Sequence, residues 1–172
     1  MKKIQQKTPA ASRTITTDMV LPGETNPLNN LFGGELLARM DRAASIAARR
    51  HSGHVVVTAS VNHVAFTKTV PLGSVVTIEA AISRAFTTSM EVYIDVWTED
   101  RVSGERTRVN EAIYTCVAVN TDGRPVPVPE LIPETDREKE RYDGALRRKQ
   151  LSLVLAGKMK PGQATELKAL FE

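Results

Sequence analysis

Leu31-Phe32-Gly33-Gly34-Glu35-Leu36-Leu37-Ala38-Arg39-Met40-Asp41-Arg42-Ala43-Ala44-Ser45-Ile46-Ala47-Ala48-Arg49-Arg50 decides the reading of this 172-residue chain. Drawn at 100° per residue, the stretch predicts a helix over about 34–50. Leu36, Met40, Ala43, Ala44 and Ala47 fall on one face, and Glu35, Arg39, Arg42 and Arg49 on the other. The apolar face is mostly alanine, so whatever covers it must come close, as a strongly curved sheet would. Gly33-Gly34 fits such an approach too, at a cost in helix stability that some other gain must offset.

Upstream, Ile15 to Leu21 reads as a short strand stopped by Pro22-Gly23, followed by an Asn-rich loop over 24–30. Downstream the period changes to two. Val55, Val57, Ala59 and Val61 share one side of a strand, and the apolar phase then slips to Val64 and Phe66, which predicts a bulge near Asn62-His63. Val76, Ile78, Ala80 and Ile82 mark a second strand, Val92, Ile94 and Val96 a third, and Arg106 to Asn120 a fourth. Short turns between them predict antiparallel neighbours. The class is α+β, one long helix against an antiparallel sheet, over residues 14–130. Residues 1–13 read as a flexible tail. Residues 131–172 read as a charged helical extension, entered through Pro125, Pro127, Pro129 and Pro133.

The composition narrows the classes. No run approaches the roughly 18 apolar residues of a membrane span, and the N-terminus lacks a secretory pattern. The single Cys116 excludes an internal disulfide and a Cys-cluster zinc site, and fits a reducing, cytoplasmic setting. His51, His54 and His63 are too loosely spaced for a metal centre. A net charge of +3 is scattered rather than striped, which argues against nucleic acid and suits a small anionic ligand equally well. Walker, G-x-G-x-x-G and G-x-S-x-G patterns are missing.

Three features could carry chemistry. Asp41 sits at the edge of the apolar face with no basic residue at i±3 or i±4. A carboxylate there would be partly desolvated, which suits a general base near neutral pH; an exposed acid at the face edge is the plainer reading. Asn30, Gly33 and Gly34 stand at the helix start, where unpaired N–H groups can hold an oxyanion, although Asn30 equally suits an N-cap. Gly34 and Asp41 are separated by roughly 10 Å of helix, so a site using both predicts two subunits. Arg84 to Ser89 offers a cation, hydroxyls and amides for a phosphate, or a plain hairpin loop. Cys116 reads as core, His51 and His54 as capping or surface groups.

Thr25-Asn26, Asn29-Asn30-Leu31-Phe32-Gly33-Gly34 and Met40-Asp41 together resemble the signature of hot-dog-fold acyl-CoA thioesterases, in the branch of bacterial and brain acyl-CoA hydrolases. Val57-Thr58-Ala59-Ser60-Val61, Thr88-Ser89-Met90-Glu91-Val92 and Gly123-Arg124-Pro125 extend the resemblance over roughly residues 14–150. It implies a curved sheet around one helix, pairing as a double hot dog and often as a trimer of dimers, a homohexamer. It implies hydrolysis of fatty acyl-CoA without a metal or separate cofactor. Asp41 would activate water, Asn30 would act from the partner subunit, and the Gly34 amide would polarise the carbonyl. Gly33, Thr58, Ser60, Arg84, Thr88, Ser89 and Arg124 would line the acyl-CoA path. The family often has glycine where this chain has Asn29. A non-catalytic acyl-CoA sensor on the same fold is the alternative; a base at Asp41 argues against it.

Overall fold

The computed structural model describes residues 5–100 and 103–171, with His63 described by its backbone alone. The elements run β1 (Gln6–Lys7), α1 (Pro9–Ser12), β2 (Thr14–Met19), α2 (Gly33–Ser52), β3 (Val55–Phe66), β4 (Val75–Ala85), β5 (Ser89–Glu99), β6 (Arg106–Val119), β7 (Glu130–Leu131), α3 (Asp136–Leu155) and α4 (Thr165–Lys168). Five strands form one antiparallel sheet in the order β2-β4-β5-β6-β3.

All five of those strands touch α2. A flat sheet five strands wide could not do this around a single helix, so the sheet curls. The alanines make the curl possible: Ala43, Ala44, Ala47 and Ala48 are fully buried, with Met40 between them and the strand residues Ile78, Ile82, Ile94 and Val96 opposite. Gly53, in the left-handed region at φ 72°, ends the helix by donating its N–H to the Arg49 carbonyl.

The sheet corrects two expectations. β3 and β4 are consecutive in sequence but not adjacent; β3 crosses over to pair with β6 and becomes an edge strand. The expected bulge is present between Asn62 and Ala65, and a second lies between Thr58 and Ser60. That second bulge reverses the parity of the strand. Val55 and Val57 face away from α2, opposite Val119 and Val117, whereas Val61 pairs with Tyr114, whose hydroxyl donates to Leu37 of α2. Val61 is therefore on the helix side, not with Val55 and Val57.

The N-terminal segment is built in. Residues 1–4 of the expected tail lie outside the described residues. Ser12 is fully buried, and its Oγ accepts from the Ile82 N–H just beyond the point where β2 starts to pair with β4. β1 pairs in parallel with β7, and the Lys7 ammonium donates to the Arg50 and His51 carbonyls, where the C-terminal end of α2 favours a cation. In the C-terminal extension, Thr135 and Glu138 form a reciprocal capping box at the start of α3. Arginines dock α3 on the outer sheet face. Arg148 makes a two-bonded pair with buried Glu91 at 2.7 and 3.0 Å. Arg141 and Arg137 reach buried Asp95 at 2.6 and 3.2 Å.

His51 is fully buried, and its Nε2 donates to the Pro129 carbonyl at 2.9 Å, while Nδ1 has no partner among the described residues. Burial holds its pKa below the usual imidazole value, the Pro129 bond opposes this, and the Lys7 charge adds to the lowering. The unfolded chain therefore takes up the proton first as pH falls below about 6.5. Stability is complete above that value and is lost toward the lower folded-state pKa, with a slope of at most ~1.4 kcal/mol per pH unit. His51→Gln keeps a donor and cannot titrate. Urea midpoints at pH 7 and pH 5 should fall less in the variant than in the wild type; equal falls would exclude His51 as the cause.

Candidate active site

Asp41 is half-buried on α2, and Thr58 of β3 donates its hydroxyl to Asp41 Oδ1 at 2.7 Å. The Thr58–Ser60 bulge begins at this threonine, which lies opposite Cys116. Burial first, and the Asp41 charge second, push the Tyr114 hydroxyl up to about 12. Burial is also the main cause at Cys116, where the thiol is pushed up to about 11, with the Asp41 charge adding and a Thr58 hydrogen bond opposing. The thiol is thus no nucleophile near neutral pH.

A second cluster forms at the start of α2. Phe32 occupies the N-cap position and gives no side-chain cap, so the first-turn amides of Gly33 and Gly34 keep their donor capacity toward a ligand. Glycine is not required here by packing: a Cβ on Gly33 would meet the Phe66 ring at 3.4 Å, and one on Gly34 the exposed Phe32 ring at 3.3 Å. Asn30 is not the cap. Its Nδ2 donates to the Leu28 carbonyl at 3.2 Å, three residues short of the helix. Asn29 adopts φ 54°, a left-handed conformation that asparagine tolerates and glycine adopts freely, which accounts for asparagine at a position where the resembling family often has glycine.

Asn26 belongs to the quoted signature, but the sequence assigned it no role. Its Oδ1 accepts from the backbone N–H groups of Leu28 and Asn30 at 3.0 and 3.2 Å. Those donors fix the orientation of the amide and leave its NH2 as the donor. Asn26, Asn30, Gly33, Phe66 and Lys68 line a cavity of about 260 Å³ that neither Asp41 nor Thr58 reaches. The signal in the sequence was Asn26-Pro27, an Asx-turn opening, but turn chemistry alone does not show which asparagine keeps free donors.

A buried ion pair holds this loop on the helix. Arg39, expected on the polar face, is 7% exposed. Its Nη2 donates to both Glu24 oxygens at 2.7 Å and to the Met19 carbonyl at 3.1 Å. The Arg39 hydrogen bond first, then the Leu21 N–H, hold the Glu24 pKa below the usual carboxylate range. The Glu24 carbonyl in turn accepts from the Phe32 N–H.

The remaining expected residues are dispersed. Ser60 accepts from Asn62 at 3.2 Å. Arg124 is exposed in a turn closed by Asn120. Thr88 and Ser89 stand at the β4–β5 turn, where the Thr88 carbonyl accepts from the Ala118 N–H. Arg84 donates to the Tyr142 carbonyl at 3.0 Å, under α3. One chain therefore brings together Asp41 with Thr58, and Asn26 with Asn30 and Gly33, as two separate groups.

Residues 28–105 match the model of the thioesterase superfamily. The chain is 39% identical over 137 residues to an uncharacterized acyl-CoA thioester hydrolase, YkhA, of Bacillus subtilis, covering 80% of each protein. Among solved structures it is similar to a hexameric acyl-CoA thioesterase, at 40% identity and a TM-score of 0.86, over 89% of this chain and 98% of that one. It is also similar to the acyl-CoA hydrolase of Staphylococcus aureus solved with butyryl coenzyme A and coenzyme A, at 34% identity and a TM-score of 0.82, over 95% and 99%. Alanine variants of that hydrolase at one asparagine, one aspartate and one threonine match as well. A sheet curled round one helix, an uncapped helix start and a half-buried carboxylate thus stand in a chain that belongs to the hot-dog thioesterase superfamily, among its acyl-CoA thioester hydrolases.

Proposed function

We propose that the chain hydrolyses fatty acyl-CoA to free fatty acid and CoA at a site shared by two subunits, in the cytoplasm. The observation that carries this is the separation of the two polar groups on one chain, each beside the open β3 edge. β3 exposes Val55 and Val57 on its outer face and Val61 and Phe66 on the α2 side, and an unpaired edge of that kind invites a second copy. A two-fold pairing along β3 would set Asp41 and Thr58 of one subunit against the Asn26 cavity and the helix start of the other. Three such dimers would make the hexamer that a solved relative forms.

In this reading Asp41 takes a proton from water as the water oxygen attacks the thioester carbonyl. The developing oxyanion meets the Gly34 amide and the positive end of α2. The C–S bond breaks, and the proton goes to the departing thiolate. Thr58 fixes the carboxylate by its 2.7 Å hydrogen bond. No metal or separate cofactor is used.

Asn26, rather than Asn30, takes the role of donor to the water or carbonyl. One of the two Asn30 NH2 hydrogens is engaged by Leu28, whereas the Asn26 NH2, its orientation fixed through Oδ1, is left as a donor at the cavity wall. The residues replaced in the S. aureus variants support this choice: asparagine and aspartate stand 15 apart there, aspartate and threonine 17 apart. Asn26, Asp41 and Thr58 repeat both spacings.

Asp41→Asn should remove more than 99% of thiol release from acyl-CoA, measured with chelator present, while CoA binding persists; turnover like the wild type's would exclude Asp41 as the base. Asn26→Ala should cost roughly 10²-fold or more in kcat, against a small effect of Asn30→Ala. Mixed Asp41→Asn and Asn26→Ala subunits should regain about a quarter of wild-type activity per site after exchange, since one of the two sites in a mixed dimer is intact; no recovery after demonstrated exchange would exclude sharing. Gly34→Ala should leave the melting temperature close to the wild type's, because the helix preference of alanine, at most ~1 kcal/mol, is offset by the 3.3 Å approach of its Cβ to the Phe32 ring, yet lower kcat by covering the amide.

A further inference from the structure

Arg84 and Lys149 converge on one aromatic ring without an acid between them. The Lys149 ammonium lies 3.6 Å from the Phe86 ring centroid, and the Arg84 guanidinium 5.8 Å from the same centroid and 4.1 Å over Tyr142. Both side chains are half-buried, and among the described residues neither has an ion pair. The carboxylate nearest in register, Glu91 opposite Arg84, is already taken: Arg148 and Ser83 hold its two oxygens at 2.6 to 3.0 Å. The helix neighbours of Lys149 at i±3 and i±4 are Ala145, Leu146, Ser152 and Leu153, all uncharged. Burial, and then the charge of Arg84, hold the Lys149 pKa below the usual ammonium value. Two cations kept together in this way repel each other, and the fold sustains them because Arg148 and Arg141 anchor α3 independently.

The cluster has a definite place relative to the candidate active site. Ala85 pairs with Met90, Met90 with Cys116, and Cys116 with Thr58. This row crosses four strands, about 14 Å, from the base of the Phe86 turn to the threonine that holds Asp41. The cations therefore stand at the same end of the sheet as the proposed base, about three strands away but on the outer face under α3, while Thr58 and Asp41 lie on the inner face, so a long ligand arm must pass round the end of the sheet to reach both.

We propose that Arg84 and Lys149 form a phosphate-monoester site that takes the 3′-phosphate of the CoA moiety, with Phe86 as its floor. This rests on the acyl-CoA reading above. It gives α3 a part in substrate recognition, since Lys149 belongs to the helical extension and not to the hot-dog sheet. A doubly charged monoester suits two unpaired cations better than the singly charged esters of a pyrophosphate bridge do, and a charge-assisted hydrogen bond at a partly buried site gives at least tenfold in affinity.

The test compares kcat/KM for one acyl group carried on CoA and on 3′-dephospho-CoA. The wild type should prefer the CoA ester about tenfold or more, through KM. Lys149→Met, which keeps the stem over Phe86, should erase the preference at an unchanged melting temperature, and Lys149→Arg should keep it. Adenosine 3′,5′-bisphosphate should compete with acyl-CoA more strongly than ADP does. Equal use of both esters by the wild type, or equal loss on both in Lys149→Met, overturns the proposal. So does inhibition by the bisphosphate that changes kcat without competing, which would make the cations a separate nucleotide site. If the wild type hydrolyses neither ester, the hydrolase reading fails by itself. Calorimetry of CoA against dephospho-CoA then still decides: a preference abolished in Lys149→Met supports the site, and equal binding overturns it.

Discussion

The alanine face of α2 is the constraint on which the rest of the structure depends. Hydrophobic burial scales with the apolar area removed from water, and four alanines supply little of it. What they supply is proximity. With Ala43, Ala44, Ala47 and Ala48 against the sheet, the larger residues Ile78, Ile82, Ile94 and Val96 can close around the helix from several strands at once. A leucine in place of any of these alanines would overfill a close-packed interior and push the strands apart. Because the sheet must curl this tightly, its outer face is convex and its edge strand β3 is brought beside the middle of the helix, where Thr58 reaches Asp41.

The outer face is held by a different force. Glu91 and Asp95 are buried acids on β5, and α3 covers them with Arg148, Arg141 and Arg137. The Arg141 guanidinium also lies 3.7 Å over the Tyr93 ring, and the Tyr93 hydroxyl donates to Glu111. A buried ion pair is a weak source of net stability, since desolvation offsets much of the attraction. It is a strong source of register: shifting α3 by one turn would leave Glu91 buried without its arginine, and Asp95 with Arg108 of β6 as its remaining cation. The charges thus fix where α3 sits, and hence where Lys149 meets Phe86, more than how tightly α3 binds.

Much of this was legible in the sequence, because periodicity reports which residues share a face. Leu36, Met40, Ala43, Ala44 and Ala47 read as one face and are buried together; Val76, Ile78, Ala80 and Ile82 likewise. What periodicity cannot report is the partner. The crossover of β3 past β4 depends on which edge remains free, not on the alternation within either strand. Arg39 looks like a surface residue until Glu24, fifteen positions away, folds over it. Pro9 and Ser12 lie in a polar, aperiodic segment, yet they are buried because an unpaired Ile82 N–H needs a partner. Asp41 was legible as a candidate because no basic neighbour explained it. Asn26 was not, because the difference from Asn30 lies in hydrogen-bond direction: one asparagine spends its oxygen on the loop, the other one of its two NH2 hydrogens.

The bulge at Thr58 ties fold and chemistry together. A regular strand with this sequence would place Val55, Val57, Ala59 and Val61 on one face and Thr58 and Ser60 on the other, giving an outer apolar stripe and an inner polar one. One inserted residue changes the assignment partway along: Thr58 stays inward at Asp41, opposite Cys116, while Val61 turns inward opposite Tyr114. The same strand then has a polar point where the carboxylate must be oriented and an apolar flank immediately beyond it, toward Phe66 and Gly33. Bulges also discourage indiscriminate pairing at an edge. An edge interrupted twice in twelve residues accepts a partner strand only in a register that respects both interruptions, and a second copy in antiparallel orientation carries the same two irregularities in reverse order. An open edge of this shape would favour its own copy over an arbitrary strand, which is the selectivity that the proposed subunit-shared site would require.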